Sequence, residues 1–499
     1  MMRRYSFLLL AGLGGCAVGP NYRAVSPAAL QVPSAFKSST ALPTSGPTAT
    51  PVAPVDLARW WTGFGDPVMT SLIERSLAQN LDIDAAGARL RQARASIRVA
   101  RADQLPTGSL SGSVGRSIGN QGQSVVDPTT GTQLSTGGDT TVYRAGFDAA
   151  YEVDLFGGLR RSVEAARADY GSSLADLRSS QQTVASEVGL NYITARLAQN
   201  RLRIARNNLA SQNETVQIVG WRVQAGLVSS LDLEQARQLR AQTAATIPTL
   251  ENNYANAVNR IAVLLGTAPG SVDAEIAPDR VIPLAPAATD IPAAVIARRP
   301  DVAAAERSLA AETARIGVQE AELYPALRLT GSFSGSSTTI SDLVSGAIGN
   351  LLASVSAPIF QGGRIRAAIE GQRASTDAAL ANYRQVVLTA LEDVENALTA
   401  LTTSERRERE IVVAEEASRN AVLYARSQYR AGLIDFQTLL DSERSLLSSQ
   451  DSRATARGDR ATATVQLYKA LGGGWQSAPL PATATRTGPS PVFDAVTRP

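Results

Sequence analysis

The sequence predicts an α+β membrane protein built from an internal duplication, with strands for a β-barrel and helices too long for a globular core. Three observations carry that prediction. Residues 160–224 space apolar and small residues by three and four, through Val163, Ala166, Tyr170, Leu174, Leu177, Gln181, Val184, Val188, Tyr192 and Ala195, with no proline. The mean spacing lies between a coiled-coil seam and a straight helix. An unbroken helix of that length is on the order of 100 Å long at ~1.5 Å per residue, a rod and not a core helix. Secondly, the stretch Arg364 to Arg430 repeats it, with Leu380, Tyr383, Val387, Ala390, Val394, Leu398 and Leu401. Thirdly, Tyr143 to Leu155 alternates strictly, with Tyr143, Ala145, Phe147, Tyr151 and Val153 on one face and Arg144, Asp148, Glu152 and Asp154 on the other. That is the period of a strand.

Composition narrows the function. Among 499 residues there is no histidine and one cysteine, Cys16. Ser-His and Cys-His nucleophile pairs, histidine bases, disulfides within the chain and His- or Cys-ligated metal sites are therefore excluded. No carboxylate pair stands out, so the chain is not expected to be an enzyme and no cofactor is expected. Three methionines, two of them at the start and the third Met69, give no site for a soft metal. The formal charge of +3 comes almost wholly from arginines interspersed with Asp and Glu, so the basic balance describes solvated helix faces and not nucleic-acid binding.

Taken in order, Arg3 and Arg4 precede the apolar run Phe7 to Leu13, and Leu13-Gly14-Gly15-Cys16 follows. This is a signal peptide over 1–15. Its end resembles a lipobox, which implies lipidation of Cys16; Ala17 next to it permits the outer membrane. Residues 16–55, rich in Pro, Ala, Ser and Thr, read as an extended tether. A first repeat occupies 56–285, with strands about 105–117 and 142–155 and a helical hairpin over 160–266. A second occupies 286–472, with strands about 326–335 and 350–360 and a hairpin over 364–471. Residues 473–499 read as a flexible tail.

Paired landmarks carry the duplication. Asn80-Leu81-Asp82-Ile83 answers Arg299-Pro300-Asp301-Val302, Phe156-Gly157-Gly158 answers Phe360 with Gly362-Gly363, and Gln224-Ala225-Gly226-Leu227 answers Arg430-Ala431-Gly432-Leu433. A repeat of this length is a duplication within one fold, not a solenoid. Each strand has roughly the ten residues of a tilted membrane-spanning strand. With only amphipathic rods elsewhere, lipid is the partner left for the apolar faces. Four strands cannot close a barrel, and open edges find no hydrogen-bond partners in lipid, so copies of the chain must complete it as a ring. The loops Ser117 to Thr141 and Gly335 to Gly349 are Gly/Ser/Thr-rich and read as the outer surface.

Cys16-Ala17-Val18-Gly19-Pro20-Asn21-Tyr22, Trp60-Trp61, Phe64-Gly65-Asp66-Pro67, Arg298-Arg299-Pro300-Asp301-Val302 and Pro358-Ile359-Phe360-Gln361-Gly362-Gly363 together resemble the TolC-like outer-membrane efflux family, in its OprM/NodT branch of resistance-nodulation-division (RND) systems. The resemblance covers roughly Cys16 to Gly472. It implies a homotrimer whose twelve strands form an outer-membrane β-barrel, continued by a long periplasmic α-helical barrel. It also implies a periplasmic adaptor and an inner-membrane RND pump as partners, with passive transfer of drugs or other small molecules.

Two sites follow. The tips Ala225-Gly226-Leu227 and Ala431-Gly432-Leu433 each place glycine where a helix stops and reverses, with an apolar residue next, and are the expected adaptor-docking points. Leu439-Leu440-Asp441-Ser442-Glu443-Arg444 resembles the segment that closes the tunnel in relatives. The resemblance implies a periplasmic gate at Asp441 and Arg444, with Gln437 one turn earlier at a constriction that is apolar in some relatives; the first-half counterpart, Leu231-Asp232-Leu233-Glu234, adds Asp232 as an acidic neighbour. Spacing alone describes only an exposed i,i+3 ion pair worth ~0.2–0.5 kcal/mol. Pro248 is expected to kink the helix after the first tip. Two other readings stand: a type I secretion duct in the same fold, and a non-conducting trimeric adhesin or envelope spacer.

Overall fold

The computed structural model describes residues 17–25, 30, 33, 36–37, 56–118, 123–126, 133–136, 139–285, 293–345 and 347–478. The signal peptide, Cys16, most of the tether and the tail beyond 478 lie outside the described residues. The chain forms two compact units, one of Met1–Ala24, Gln92–Gly171 and Arg307–Ala381, the other of Val25–Arg91, Ser172–Glu306 and Asn382–Pro499.

The first unit holds the main sheet. Strands β1 (Thr107–Ser117), β4 (Thr140–Val153), β5 (Ala326–Ser337) and β6 (Ile348–Ser356) pair antiparallel in the order β1-β4-β5-β6. The register aligns the apolar alternation across the sheet: Leu110 opposes Phe147, which opposes Phe333, and Val153 opposes Leu327, which opposes Val355. Because alternate residues share a face, these rows build one apolar surface. Leu110, Phe147, Phe333, Leu351 and Val355 are all exposed in the single chain. The rows between them are mostly polar, with Glu152 opposite Arg328 in an ion pair of 3.6 Å; Ile348 and Leu352 of β6 are the large apolar residues on that face. Among the described residues, strands β1 and β6 each leave one edge unpaired.

One expectation needs correction. The segment Ser117 to Thr141, read as a loop, contains a second sheet, β2 (Gln123–Val126) paired with β3 (Gln133–Thr136). Its Gly/Ser/Thr content hid two short stretches with β-branched residues.

The start of the described chain is also firmer than a tether. Arg161 donates to the carbonyls of Val18 and Gly19 at 3.1 and 3.0 Å and to Asn21 Oδ1 at 2.8 Å. Gly19, at φ 91°, lies so close to Gly317 that a side chain on either would collide with backbone. The Gly-Pro-Asn-Tyr string is thus a fitted segment of the first unit.

Helices supply the rest. Helices α1 (Pro67–Gln79) and α2 (Leu81–Ala102) precede the sheet; α3 (Gly158–Gln224), α4 (Ser230–Leu264) and the short α5 (Asp273–Ile276) follow β4. Helix α6 (Pro300–Ala321) precedes β5, and α7 (Arg364–Arg430) and α8 (Phe436–Ala470) follow β6. The duplication appears in the lengths: 22 residues for α2 and α6, 67 for α3 and α7, 35 for α4 and α8. Helix α4 runs unbroken across Pro248. Among the described residues no helix is long and apolar enough to cross a membrane.

In the second unit the family-like motifs are structural. Gly65 takes a left-handed φ of 66°, Asp66 caps α1 by accepting from Val68 N at 2.9 Å, and Pro67 opens the helix. Asp66 also accepts from the Tyr192 hydroxyl at 2.6 Å, and Arg196 donates to that hydroxyl at 2.8 Å and to the carbonyls of Ile276 and Pro278. Burial, then the bond to Asp66, pushes the Tyr192 pKa up. Trp60 stacks on Tyr468 at 5.7 Å, and burial pushes that hydroxyl up to about 12. Asn80 donates to Leu264 O at 2.8 Å, at the end of α4; its counterpart Arg299 donates to Ala470 O at 3.1 Å, at the end of α8. Both halves thus satisfy the terminal carbonyls of the shorter hairpin helix, one with an amide and the other with a guanidinium. Residues 473–478, read as tail, are held: Gly474 N donates to Leu57 O at 2.9 Å, and Ser477 to Ala58 O at 2.9 Å.

Candidate functional site

Both tips are Schellman turns, and the sequence dictates them. Gly226 N donates to Val223 O and Leu227 N to Arg222 O, at 2.9 and 2.8 Å; Gly432 N donates to Tyr429 O and Leu433 N to Gln428 O, at 3.1 and 2.9 Å. The glycines have φ of 71° and 74°. A residue with a Cβ resists that region, so glycine is required to end α3 and α7 there. The second helix of each hairpin restarts with a cap. Ser229 and Asp232 form a capping box, their bonds at 3.2 and 3.3 Å; Asp435 accepts from Thr438 N at 2.9 Å. The Thr438 bond holds the Asp435 carboxyl below its usual range. Leu227 and Leu433 are 70% and 75% exposed. In a Schellman turn that residue commonly packs back on its own helix; here both point to solvent.

Beneath the tips the two hairpins share one apolar cluster. Val219 from α3, Ala236 and Leu239 from α4, Ala425 and Tyr429 from α7, and Phe436, Leu439 and Leu440 from α8 are all buried in it. The hairpins are therefore packed together at this end of the second unit.

The gate residues divide. Gln437, Asp441 and Arg444 come together: Gln437 Nε2 donates to Asp441 at 3.0 and 3.2 Å, and Arg444 Nη1 donates to Asp441 Oδ1 at 3.4 Å. All three lie on α8, and Asp441 and Arg444 are 59% and 39% exposed. The pair ties no two helices of this chain together. Asp232 does not join them; its hydrogen bonds stay in the first turn of α4.

A tighter connection escaped the sequence reading. Glu443, whose side chain is 5% exposed, accepts from Arg426 Nε and Nη2 at 3.2 and 2.9 Å and from Thr215 at 3.5 Å. Arg426 also donates to Ser211. This network joins α3, α7 and α8. It borders a cavity of about 190 Å³ into which Arg222 also turns, its guanidinium 4.7 Å from the Tyr429 ring. Glu443 Oε2 and the Tyr429 hydroxyl are buried with no hydrogen-bond partner among the described residues. The sequence carried one signal for it: Phe436, Leu439, Leu440 and Glu443 form a single i, i+3, i+4, i+7 stripe, which places a carboxylate on the buried face.

Comparison with known proteins adds the family. The family model described as "Outer membrane efflux protein" matches residues 72–267 and 291–473. Pyoverdine export outer membrane protein OpmQ of Pseudomonas putida is 34% identical over 433 residues, covering 86% of this chain and 91% of that protein. Nodulation protein T of Rhizobium leguminosarum bv. trifolii is 33% identical over 470 residues, covering 93% and 95%. Among solved structures, the outer-membrane channel OprN superposes with a TM-score of 0.82 at 34% identity, covering 92% of this chain and 100% of that one.

Proposed function

The chain belongs to the outer membrane efflux protein family, and we propose that it works as the outer-membrane channel of a tripartite RND-type pump, conducting small molecules passively from the periplasm to the exterior. The single observation that carries this reading is the four-stranded sheet with one apolar face, one largely polar face and, among the described residues, two unpaired edges. In lipid such edges must be paired, and three copies give the twelve strands of a closed barrel whose polar face surrounds water. No reaction chemistry is required of it.

Cys16 carries the lipid anchor, and a periplasmic adaptor engages the exposed leucines of the two tips. Asp441, repeated around the trimer axis, forms a ring of carboxylates partly neutralised by Arg444, with Gln437 orienting it. Such a ring repels itself and attracts cations, so it narrows the bore and selects by charge. Because the Arg426–Glu443 network links the hairpins through a buried carboxylate, it is the latch, and the exposed Asp441–Arg444 pair is the electrostatic constriction. The inner-membrane pump sets which compounds are exported, as the duct needs only a polar bore.

Purified protein in a planar bilayer is expected to open in discrete ionic steps that grow in the Asp441→Ala, Arg444→Ala double variant. A chain that inserts and carries no current would leave the spacer reading in its place.

A further inference from the structure

A second cavity in the helical unit, of about 410 Å³, has no part in the channel reading above. Five arginines line it: Arg203 of α3, Arg280 of the segment after α5, Arg419 of α7, and Arg453 and Arg457 of α8. Against them stand two carboxylates, Glu415 and Asp279. Glu415, 5% exposed, binds both Arg419 and Arg453. Asp279 lies 3.4 Å from Arg203. Arg280 comes only within 4.0 Å of Asp66, which already accepts from Tyr192.

Arg457 makes no ion pair among the described residues. Its Nε donates to Ile282 O at 3.0 Å, which fixes the side chain, and among the described residues its two terminal nitrogens have no hydrogen-bond partner. Burial lowers its pKa; Glu408 raises it, and Arg453 and Arg460 lower it again. Glu408 is itself bound to Arg460 at 3.0 Å.

An excess of positive charge gathered in a recess would push its own side chains outward into water unless something held them. Here Glu415 and the Ile282 carbonyl hold three of the five in place. The planar fork of each guanidinium matches two oxygens of a phosphate or carboxylate. We propose that this cavity is a binding site for a multivalent oxyanion, a phosphate compound or a group of closely spaced carboxylates. The site belongs to the helical unit alone and does not depend on the channel assignment.

The test is calorimetric titration of the purified full-length protein in detergent at low ionic strength, with inorganic pyrophosphate and, separately, tricarballylate. Saturable binding of at least one of them, one per chain, is expected, with affinity falling as salt is added. Arg457→Met removes a cation without orphaning a carboxylate and should weaken binding by about tenfold or more, the equivalent of one charge-assisted hydrogen bond. Arg280→Met provides a second, independent variant, and circular dichroism checks that each is folded. The pyrophosphate and tricarballylate arms distinguish a phosphate site from a carboxylate site. Absence of saturable binding to both anions, or unchanged affinity in both variants, overturns the proposal.

Discussion

Residues at the tip differ in what they contribute, and burial decides the ranking. The Asp441–Arg444 pair is exposed and sits on one helix, so its loss should change stability by no more than about 1 kcal/mol while changing conductance. Arg426 and Glu443 are different. Removing one partner of a fully buried pair costs about 3–5 kcal/mol, and here the cost is lower because Arg426 keeps 39% exposure. Arg426→Met should therefore lower the unfolding midpoint more than Asp441→Ala does, and Arg426→Met with Glu443→Met should recover much of the loss. Thermal unfolding of the four proteins checks this, and equal midpoints would remove Arg426 and Glu443 from the latch. Gly432 gives a separate prediction. No atom lies within 4 Å of a side chain placed there, so Gly432→Ala meets only the left-handed backbone penalty, about 1 kcal/mol, and Gly432→Asn less. Asp435 sets a pH dependence with a defined sign. Its folded pKa is lowered, so its cap stabilises α8 fully above the ordinary carboxylate range and is lost as pH falls through the folded value, below about pH 4. Hydrogen exchange in the first turn of α8 should rise there, and Asp435→Ala should abolish the change.

Elements were legible where one periodicity ran long. The spacing of Arg364 to Arg430 coincides with α7, and the alternation at Phe147 and Phe333 lies in register across β4 and β5. Short-range signals served less well. The β2–β3 pair lay inside a Gly/Ser/Thr-rich stretch whose composition describes loops, and its four-residue strands are too brief for a period to emerge. The candidate site was half legible for a physical reason. Gln437, Asp441 and Arg444 are neighbours on one helix face, which sequence spacing reports directly. Arg426, Glu443, Ser211 and Thr215 meet only after three helices pack, and no local spacing encodes that. The hairpin tips give the prediction proper to this scale. Leu433→Asp alters an exposed side chain outside the apolar cluster, so the fold and the assembled complex should persist while export is lost. Drug susceptibility of a deletion strain carrying the variant, with its complex checked on a native gel, measures both. Normal export would remove the second tip from the docking surface.

At the scale of the whole molecule, the chain is unfinished by itself. Its sheet exposes Leu110, Phe147, Phe333, Leu351 and Val355 on one side and, among the described residues, leaves one edge of β1 and one edge of β6 unpaired. A soluble domain would cover such a face with helices, yet the helices of this chain bury their own stripes against one another. Membrane insertion, assembly and conduction are thus one physical requirement. A molecule that satisfies the edges must be a ring, a ring in lipid must be lined by the polar rows, and a polar-lined ring conducts. The most direct test is the protein mass of the detergent-solubilised complex by light scattering, corrected for bound detergent. Three chains per particle are expected. A stable particle of one chain, with the same apolar rows exposed, would contradict the account.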